Sequence, residues 1–488
     1  MDLLAQIDRW GSAAPDRTAH LSMGRGLSYG ELLHRADALA GRLTALLGAD
    51  RSPVAVRGHK EGEMLIAFLA AVKAGHPYIP LDSALPEARV ERIIAASGAR
   101  LALTLDRVAE LSETALPAGV TPQPVGPDDP YYIIFTSGST GDPKGVVITL
   151  ACLTSFVEWM LAEQDFAAEG EVFLNQVPFS FDVSMLDMHL SLVTGSTLVS
   201  ITAGQIANPR QLFQALGESG VTTFVSTPSF AQLCLVEKTF TEAMLPHARR
   251  FLFAGETLAP EIVAQFLTRF PRAAVWNAYG PTEATILATS VRIDRELLAR
   301  YSPLPIGYPR PGSRILIVDE TGHEVPSGDR GQIVIVGPHV SPGYLGRSDL
   351  TDRAFFVVDG MRAYRTGDAG HYQDGLVFFD GRMDNQVKLH GYRIELGDVE
   401  ANLCALSGVR DAVVLPVLKQ GLVDSLAAFV ILNERGAGSD FEISLTLRQM
   451  LGARLPAYMI PRKFHFLAAF PMTVNGKADR RKLAELLA

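Results

Sequence analysis

The feature that most constrains the fold is an alternation of strand-like and helix-like patterns through the first two-thirds of the chain. Residues 31–47 carry apolar side chains at helical spacing, and residues 88–105 read as a helix, a glycine stop at Gly98 and then a strand. The run RFLFAGETLAPEIVAQFLTRF, which begins at Arg250, reads as strand, turn and helix. Such alternation is typical of α/β proteins, in which helices cover layered sheets. We therefore predict an α/β fold.

The last third of the chain has a different pattern. From residue 314 to residue 375 strands dominate, separated by Gly and Pro turns, which predicts a small β-barrel-like part. Beyond Gly381 the pattern becomes a helix, two strands and a further helix, which is typical of a compact α+β domain. A short polar segment, residues 381–386, separates the two regions. We therefore predict a large N-terminal domain at residues 1–383 and a small C-terminal domain at residues 384–488.

Composition and charge narrow the class of protein. A chain of 488 residues is too long for one ordinary core, and its formal net charge of −9 argues against a protein that coats nucleic acid. Cys152, Cys234 and Cys404 have neither zinc-ligand spacing nor a disulfide framework. Asp2 stands where a secretory signal carries basic residues, and the longest apolar run, residues 64–72, is about half of a bilayer span. We predict a cytoplasmic protein without membrane insertion or a nucleic-acid partner.

One segment predicts anion binding: IIFTSGSTGDPKGVVI, residues 133–148. Glycines let backbone N–H groups approach an anion, hydroxyls add donors, and a lysine supplies positive charge. An ordinary P-loop is disfavoured, because Lys144 follows Pro143 and the next residues are β-branched, as in a strand. By composition alone, a flexible hairpin turn is the simpler interpretation. The candidate phosphate-binding run is Thr136, Ser137, Gly138, Ser139, Thr140 and Gly141.

Several motifs, in the same order along almost the whole chain, resemble the adenylate-forming (ANL) superfamily. Its members include acyl-CoA synthetases, luciferases and the adenylation domains of nonribosomal peptide synthetases. Besides the loop, the matching segments are LSYGEL, VKAGHPYIPLD, FSFDVSMLD, NAYGPTEA, GQIVIVGPHVSPGYL, YRTGDAG, GRMDNQVKLHGYRIE, LPAYMIP and NGKADRRKL. The segments NQVPFSFDVSMLDMHLSLVTG, STPSFAQLCL and AYRTGDAGHYQDG most resemble D-alanine–carrier protein ligases. The resemblance implies an AMP-forming acid–thiol ligase that uses ATP and Mg²⁺ and has a mobile C-terminal domain.

The resemblance also implies roles in the nucleotide site. Lys477 corresponds to the catalytic lysine that bridges the substrate carboxylate and the α-phosphate. Glu283 corresponds to the Mg²⁺ ligand, and Thr282 beside it to an α-phosphate contact. Tyr279 would lie against the adenine face, and Asp368 would accept hydrogen bonds from the ribose hydroxyls. The other implied nucleotide contacts are the six residues of the loop, Lys144, Gly255, Glu256, Asn277, Ala278, Gly280 and Arg382.

Two further positions concern the second half-reaction of such enzymes. Asp384 falls where the superfamily has its hinge, and a few residues that change φ and ψ can swing a whole domain. Gly391 would lie beside the incoming phosphopantetheine arm, where a side chain would block the path. Taken alone, the acids Glu283 and Asp368 read as ordinary turn positions, and Lys477 reads as a solvated surface charge.

Asp182 discriminates between an amino acid and a simple acid as substrate. It lies between apolar residues in FSFDVS, where an unpaired carboxylate is costly and a substrate ammonium would pair with it. The alternative is a helix N-cap before VSMLDMHLSL. The other pocket positions that the resemblance implies are Val183, Leu186, Ser229, Leu252, Ala254, Ala278, Ile286 and Leu287.

The implied pocket is small and apolar, which favours a small amino acid. The D-alanine–carrier protein ligases typically have a cysteine at the position of Ala254 and a threonine at the position of Ala278, so this pocket departs from theirs. One methylene-sized difference separates substrates by only about 1–3 kcal/mol. D-alanine is the best single prediction, and L-alanine, glycine or a slightly larger amino acid stay open.

The acceptor is predicted to be the phosphopantetheine thiol of a carrier protein rather than coenzyme A. Carrier proteins are typically acidic, and basic residues that bunch near the C-terminus offer a complementary surface. The alternatives are another adenylating ligase, which makes an acyl-CoA or a peptide-synthetase intermediate, and a non-catalytic relative that only binds nucleotide or carrier. Basic residues near a C-terminus are equally well explained as ordinary solvated charges without a docking role. The basic residues are Arg454, Arg462, Lys463, Lys477, Arg480, Arg481 and Lys482.

Overall fold

The structure is a computed structural model that describes most of the chain. The residues outside the description are 49, 114–118, 139–141, 165, 167–169, 385, 390, 420, 421, 435–437, 473–477 and 488, together with the side chain of Leu422. The described chain divides into two compact units. The first comprises Met1–Ser83, Ser97–Ile134 and Gly145–Met383, and the second comprises Ala84–Ala96, Phe135–Lys144 and Asp384–Ala488.

The elements are numbered in chain order. The strands are β1 Thr18–Ser22, β2 Arg25–Ser28, β3 Val54–Gly58, β4 Tyr78–Asp82, β5 Leu101–Thr104, β6 Pro130–Thr136, β7 Lys144–Thr149, β8 Val172–Asn175, β9 Thr197–Ser200, β10 Thr223–Ser226, β11 Arg250–Phe253, β12 Ala274–Tyr279, β13 Thr289–Ile293, β14 Tyr308–Pro309, β15 Arg314–Val318, β16 Gly331–Val336, β17 Gly343–Tyr344, β18 Phe355–Val358, β19 Met361–Gln373, β20 Leu376–Arg382, β21 Gln386–Leu389, β22 Tyr392–Glu395, β23 Val409–Lys419, β24 Leu422–Leu432 and β25 Lys463–Phe466. The α-helices are α1 Leu3–Ala13, α2 Tyr29–Leu47, α3 Gly62–Lys73, α4 Glu87–Ser97, α5 Leu105–Glu113, α6 Leu150–Gln164, α7 Val183–Thr194, α8 Ala203–Ala207, α9 Pro209–Glu218, α10 Pro228–Leu235, α11 Pro260–Arg269, α12 Arg295–Arg300, α13 Ser348–Ala354, α14 Leu396–Cys404, α15 Asp440–Gly452 and α16 Arg480–Glu485.

The larger sheet of the first unit has a parallel centre. Its strand order is β14-β13-β12-β11-β10-β8-β9-β1-β2. The strands β8 to β12 pair in parallel with one another, and β13 joins antiparallel to β12. The carboxyl ends of the parallel strands therefore meet at one edge of the sheet, which is where α/β proteins bind ligands. A second sheet has the order β17-β7-β6-β4-β3-β5.

Local sequence accounts for the helices that cover these sheets. The helix α2 begins at a capping box, in which the Ser28 side chain accepts from the N–H of Glu31 and the Glu31 side chain accepts from the N–H of Ser28. The apolar run 64–72 forms most of α3, and its side chains are buried all round, which explains a helix without a polar face. Among the described residues, every helix is too short or too polar to span a bilayer.

The predicted β part lies within the first unit and is a small antiparallel sheet. The strands follow the order β15-β16-β19-β18, and β20 pairs with the long strand β19 as well. The α/β interpretation of the first two-thirds is also confirmed: α4 ends at Ser97 before Gly98, which has a φ of +65°, and β5 follows. The strand, turn and helix predicted from Arg250 onward are β11 and α11.

The second unit is the predicted α+β fold. Its helices α14 and α15 and its strands β23 and β24 occur in the predicted order, and β24 also pairs with β25. The helix α4 belongs to this unit because Arg89 forms a buried ion pair of 3.1 Å with Asp398 on α14. Ser137 joins it too, since its hydroxyl donates to the carbonyl of Arg393 and accepts from the N–H of Glu395. The sequence pattern gave no sign of either contact, and the predicted domain boundary and mobility stay predictions.

Candidate active site

The carboxyl edge of the larger sheet carries polar residues from several parallel strands. Asn175 ends β8, and Tyr279 ends β12. Ser229 follows β10 in the first turn of α10, and Gly255 follows β11. Gly255 has a φ of +90°, a conformation that favours glycine. The backbone N–H of Ser229 donates a 2.9 Å hydrogen bond to the carboxylate of Glu256, so Glu256 also satisfies the first turn of α10.

Three predicted nucleotide residues of the first unit form one buried cluster. Tyr279 is 6% exposed and Asp368 3% exposed, and the Tyr279 hydroxyl donates to the Oδ2 atom of Asp368. The Nη1 atom of Arg382 donates to the Oδ1 atom of Asp368 at 2.6 Å. Burial raises the pKa of Tyr279 well above its ordinary value, and the Asp368 charge raises it further. The phenol therefore stays protonated and acts as the donor to Asp368.

Asn277 lies on β12, and Gly280 begins the turn that follows this strand. The side-chain amide of Asn277 donates to the carbonyl of Pro305 at 2.7 Å. A Cβ atom on Gly280 would lie 2.5 Å from the carbonyl oxygen of Ile286 and 2.5 Å from the Cα of Leu287. Only glycine fits where two backbone segments approach so closely.

Thr282 and Glu283 lie in a 3₁₀ turn after Gly280. The Glu283 side chain is buried, and its Oε1 atom accepts a 2.8 Å hydrogen bond from the Tyr344 hydroxyl. The two residues Thr285 and Ile286 have φ values of +51° and +72°. Positive φ at β-branched residues is strained, and such strain collects at functional sites.

The donor set around Glu283 fits a magnesium ion that arrives with a nucleotide. Mg²⁺ is bound by one or two carboxylates together with phosphate oxygens and waters. Within the described ranges, no group of three or more His, Cys, Asp or Glu side chains could hold a metal ion by itself. One oriented carboxylate is suited to a Mg²⁺–phosphate complex, in which phosphate oxygens and waters would supply the other ligands.

Asp182 occupies the N-cap position of α7, as the alternative interpretation predicted, and its backbone carbonyl accepts from the N–H of Met185 at 2.8 Å. Its backbone is helical, with a φ of −64°, and its side chain makes no capping hydrogen bond. The position is therefore confirmed, but the capping role of the carboxylate is not. Asp182 is half-buried, and its charge reaches the buried Tyr132 phenol, whose pKa is raised mainly by burial and then by Asp182.

The predicted pocket residues lie together in the first unit. All but Ser229 belong to one hydrophobic cluster of buried side chains: Val183, Leu186, Leu252, Ala254, Ala278, Ile286 and Leu287. These residues come from α7, β11, β12 and the strained turn, so distant parts of the chain form one apolar wall. Ala254 and Ala278, the two positions that depart from the D-alanine ligase pattern, are both buried in it.

The glycine-rich loop joins β6 to β7. The strand after the loop begins at Lys144, which confirms that the segment is not followed by the helix of an ordinary P-loop. Thr136, Ser137 and Gly138 are described within the second unit, and the Thr136 hydroxyl is buried without a partner among the described residues. Ser139, Thr140 and Gly141 lie outside the described residues, so the phosphate-binding role of the loop stays a prediction.

The predicted hinge residue Asp384 and the pantetheine-path residue Gly391 both belong to the second unit. Lys477, the lysine predicted to act in the first half-reaction, lies outside the described residues. The Asp384 carboxylate accepts a 3.1 Å hydrogen bond from the N–H of Gln386. Gly391 has a φ of +84° between the paired strands β21 and β22, so the turn itself requires glycine there.

One predicted basic surface residue has a structural partner instead. Arg480 forms a 2.5 Å ion pair with Glu400 and donates to the carbonyl of Val414 at 2.8 Å, which fastens α16 to the second unit. Arg481 and Lys482 remain exposed. A docking role for the basic cluster therefore rests on these exposed residues rather than on Arg480.

Sequence reasoning missed Tyr344 and Lys60. Tyr344 lies in the quoted segment GPHVSPGYL, and only its contact with Glu283 reveals it. Lys60 is 1% exposed and reaches the end of β8, yet its sequence surroundings, RGHKEGEM, read as an ordinary polar turn before a helix. Neither residue carries a local signal, because both act through contacts that are distant in sequence.

The larger sheet has the residues of the predicted nucleotide-binding motifs at its carboxyl edge, and the chain has a second, α+β unit. This combination is typical of the adenylate-forming class. The chain belongs to this family: residues 7–345 match the model of the AMP-binding enzyme, and residues 398–477 match that of the AMP-binding enzyme C-terminal domain.

Relatives and solved structures agree with this assignment. The chain is 47% identical to a D-alanine–D-alanyl carrier protein ligase of Bacillus mycoides, over 99% of both chains. A holo nonribosomal peptide synthetase protein with adenylation and PCP domains superposes with a TM-score of 0.85 at 28% identity, over 99% of this chain and 84% of that one. The Vibrio cholerae adenylation domain AlmE, solved with glycyl-adenosine-5′-phosphate, has a TM-score of 0.84 at 22% identity, over 99% and 98%, and shares the fold.

Proposed function

We propose that this chain activates D-alanine with ATP and transfers it to the phosphopantetheine thiol of a carrier protein. The observation that carries the proposal is the position of Asp182, a half-buried carboxylate at the start of α7 that is followed by residues of the apolar cluster. The 47% identity to a D-alanine–D-alanyl carrier protein ligase supports the choice of substrate and acceptor.

The reaction has two steps. In the first, a carboxylate oxygen of the amino acid attacks the α-phosphorus of ATP, and pyrophosphate leaves with the bridging oxygen. In the second, the carrier thiolate attacks the carbonyl of the resulting aminoacyl-AMP, and AMP leaves. Both reactants of the first step are anions, so fixed positive charge and donors must offset their repulsion.

The candidate site residues of the first unit have separate roles in this reaction. Asp182 pairs with the substrate ammonium, a charge-assisted hydrogen bond of about 1.5–3 kcal/mol. The Tyr279 ring stacks on adenine, and the Asp368 carboxylate accepts from the ribose hydroxyls while Arg382 holds its other lone pairs. Glu283, oriented by Tyr344, would hold the Mg²⁺ that accompanies ATP, and the ion would offset the charge of the phosphates.

The second unit carries the residues that we propose for lysine catalysis, for the domain movement and for contact with the carrier. We infer from the match with the superfamily that Lys477 bridges the carboxylate and the α-phosphate, and that residues 384–488 move about Asp384 between the two steps. Gly391 would then line the path of the phosphopantetheine arm, and the exposed Arg481 and Lys482 would face an acidic carrier. The three cysteines are free thiols, which fits the reducing cytoplasm in which we place the enzyme.

Carrier loading tests the proposal. Enzyme, ATP, Mg²⁺, D-alanine and a holo carrier protein are combined, and the intact mass of the carrier is measured. A mass increase of one alanyl group is expected, with coenzyme A a poor acceptor. Asp182→Asn should lower the rate of loading at subsaturating D-alanine about tenfold or more, whereas Asp294→Asn, a matched change at an aspartate that does cap its helix, α12, should not.

Other outcomes identify the alternatives. Loading of coenzyme A rather than the carrier would indicate an acyl-CoA ligase, and loading only with another amino acid would indicate a different adenylating ligase. Nucleotide binding without loading or pyrophosphate release would indicate a non-catalytic relative.

A further inference from the structure

A buried lysine lies next to the segment that carries Asp182. Lys60, in the turn between β3 and α3, is 1% exposed. Its ammonium donates hydrogen bonds to the Oδ1 atom of Asn175 and to the carbonyl of Val177, and it lies 4.5 Å from the ring centre of Phe179. Lysine is almost never fully buried unless it is paired, so these contacts need an explanation.

The contacts continue from Asn175 to the first turns of α7. The Asn175 amide donates to the Oδ2 atom of Asp187 at 3.0 Å, and the Ser200 hydroxyl donates to the Oδ1 atom of Asn175 at 2.9 Å. His20 completes the network through a 2.9 Å hydrogen bond with Ser200. Every side chain in this network is buried, so each lost hydrogen bond would leave a polar group unsatisfied.

The network holds one stretch of chain at both ends. Asn175 begins the segment 175–187 and Asp187 ends it, while Val177 and Phe179 contact Lys60 in between. This segment carries Asp182 and the pocket residues Val183 and Leu186. A binding group acts at full strength only if the residues behind it fix its position.

We propose that Lys60 is a positioning residue that sets the place of Asp182 and thereby the affinity for the amino group of the substrate. The inference rests on the proposed function, because it assigns Lys60 an effect only through Asp182. Lys60 itself touches neither substrate nor nucleotide.

The charges around Lys60 agree with this arrangement. Burial lowers the pKa of Lys60 to about 7, and Asp187 on α7, Asp82 on β4 and Glu61 oppose that shift. Burial likewise raises the pKa of Asp187 to about 7, and Lys60 opposes it. His20 on β1, whose pKa burial lowers to about 3, stays neutral beside them.

Steady-state kinetics of pyrophosphate exchange separates positioning from mere structural support. Lys60→Met keeps the length of the side chain and removes its donors. We expect the KM for D-alanine to rise about tenfold while the KM for ATP changes less than about twofold. A KM does not depend on the fraction of folded enzyme, so a loss of stability alone would not produce this split. Lys73→Met, at the far end of α3, removes a lysine paired with Asp8 and Asp37 and should change neither KM.

A double-mutant cycle with Asp182→Asn completes the test. If Lys60 acts through Asp182, Lys60→Met should add little to the D-alanine KM once Asp182 is replaced. An equal rise in both KM values, or the same factor in both backgrounds, would overturn the proposal. If Asp182→Asn by itself leaves the KM for D-alanine unchanged, Asp182 does not bind the substrate ammonium, and the proposed function fails. If Asp182→Asn raises that KM but Lys60→Met does not, only the positioning role of Lys60 fails. Should Lys60→Met not fold, Lys60→Gln removes the charge but keeps a donor group, the side-chain NH₂, and should give the same split with a smaller change in KM.

Discussion

The hydroxyl of Tyr344 donates a 2.8 Å hydrogen bond to the Oε1 atom of Glu283 in a buried site. The two residues lie on β17 and on the 3₁₀ turn after β12, so two separate elements fix one carboxylate oxygen. The hydrogen bond therefore fixes the orientation of the carboxylate that we propose as the Mg²⁺ ligand.

Tyr344→Phe should therefore weaken the response to magnesium. The Mg²⁺ concentration for half-maximal pyrophosphate exchange is expected to rise about tenfold, because a hydrogen bond to a charged group is lost. Tyr308→Phe, at an exposed tyrosine, is the control and should leave the Mg²⁺ dependence unchanged. An unaltered Mg²⁺ titration in Tyr344→Phe would remove Tyr344 from this role.

The ring and the hydroxyl of Tyr279 should contribute separately to ATP binding. Tyr279→Phe keeps the stacking face and loses the hydrogen bond to Asp368, so the KM for ATP should rise only about threefold. Tyr279→Leu also loses the ring and should raise it about tenfold or more. Tyr301 donates to Asp374 at 2.7 Å in a similar pair away from the site, and Tyr301→Phe should not alter the KM. Equal effects of Tyr279→Phe and Tyr279→Leu would contradict adenine stacking.

Gly280→Ala should destabilise the first unit. Its new Cβ would meet backbone atoms of Ile286 and Leu287 at 2.5 Å, and overpacking of this kind costs about 1–3 kcal/mol. Urea unfolding measures the change. Gly26→Ala, where a Cβ meets nothing within 4 Å, is the control and should stay within about 0.5 kcal/mol of the parent.

The two alanines of the pocket wall should set the size of the accepted side chain. Ala278→Thr adds volume to the buried cluster and should raise the preference for D-alanine over D-2-aminobutyrate about tenfold, measured as the ratio of kcat/KM values. Ala248→Ser, in a different hydrophobic cluster, should leave the ratio unchanged. No change in the ratio for Ala278→Thr would show that Ala278 does not contact the substrate.

Lys477→Ala should separate the two half-reactions. Removal of the bridging ammonium should abolish pyrophosphate exchange, whereas transfer from supplied D-alanyl-AMP to the carrier should largely survive. Near-normal exchange would remove Lys477 from the catalytic role that the superfamily match assigns.

Periodic patterns predicted the secondary structure because each element depends mainly on its own residues. The helix α4, the stop at Gly98 and the strand β5 follow from apolar spacing and one glycine. Asp182 shows the limit of such reasoning, since an aspartate before a helix is usually its cap and only the structure excludes that bond.

Contacts between distant residues could not be predicted in this way. Tyr279 and Asp368 are 89 positions apart, and Lys60 and Asn175 are 115 apart. A sequence pattern reports how one element repeats, whereas these pairs depend on how the sheet brings elements together. The superfamily resemblance supplied the individual site residues without the hydrogen bonds that orient them.

Amino-acid-dependent ATP–pyrophosphate exchange by the intact chain shows whether the enzyme activates its substrate through the ammonium group. We expect rapid exchange with D-alanine, weaker exchange with L-alanine and glycine, and almost none with propionate, which has the same carbon chain without the ammonium. Equal exchange with propionate and D-alanine, or no exchange with any amino acid, would contradict this expectation.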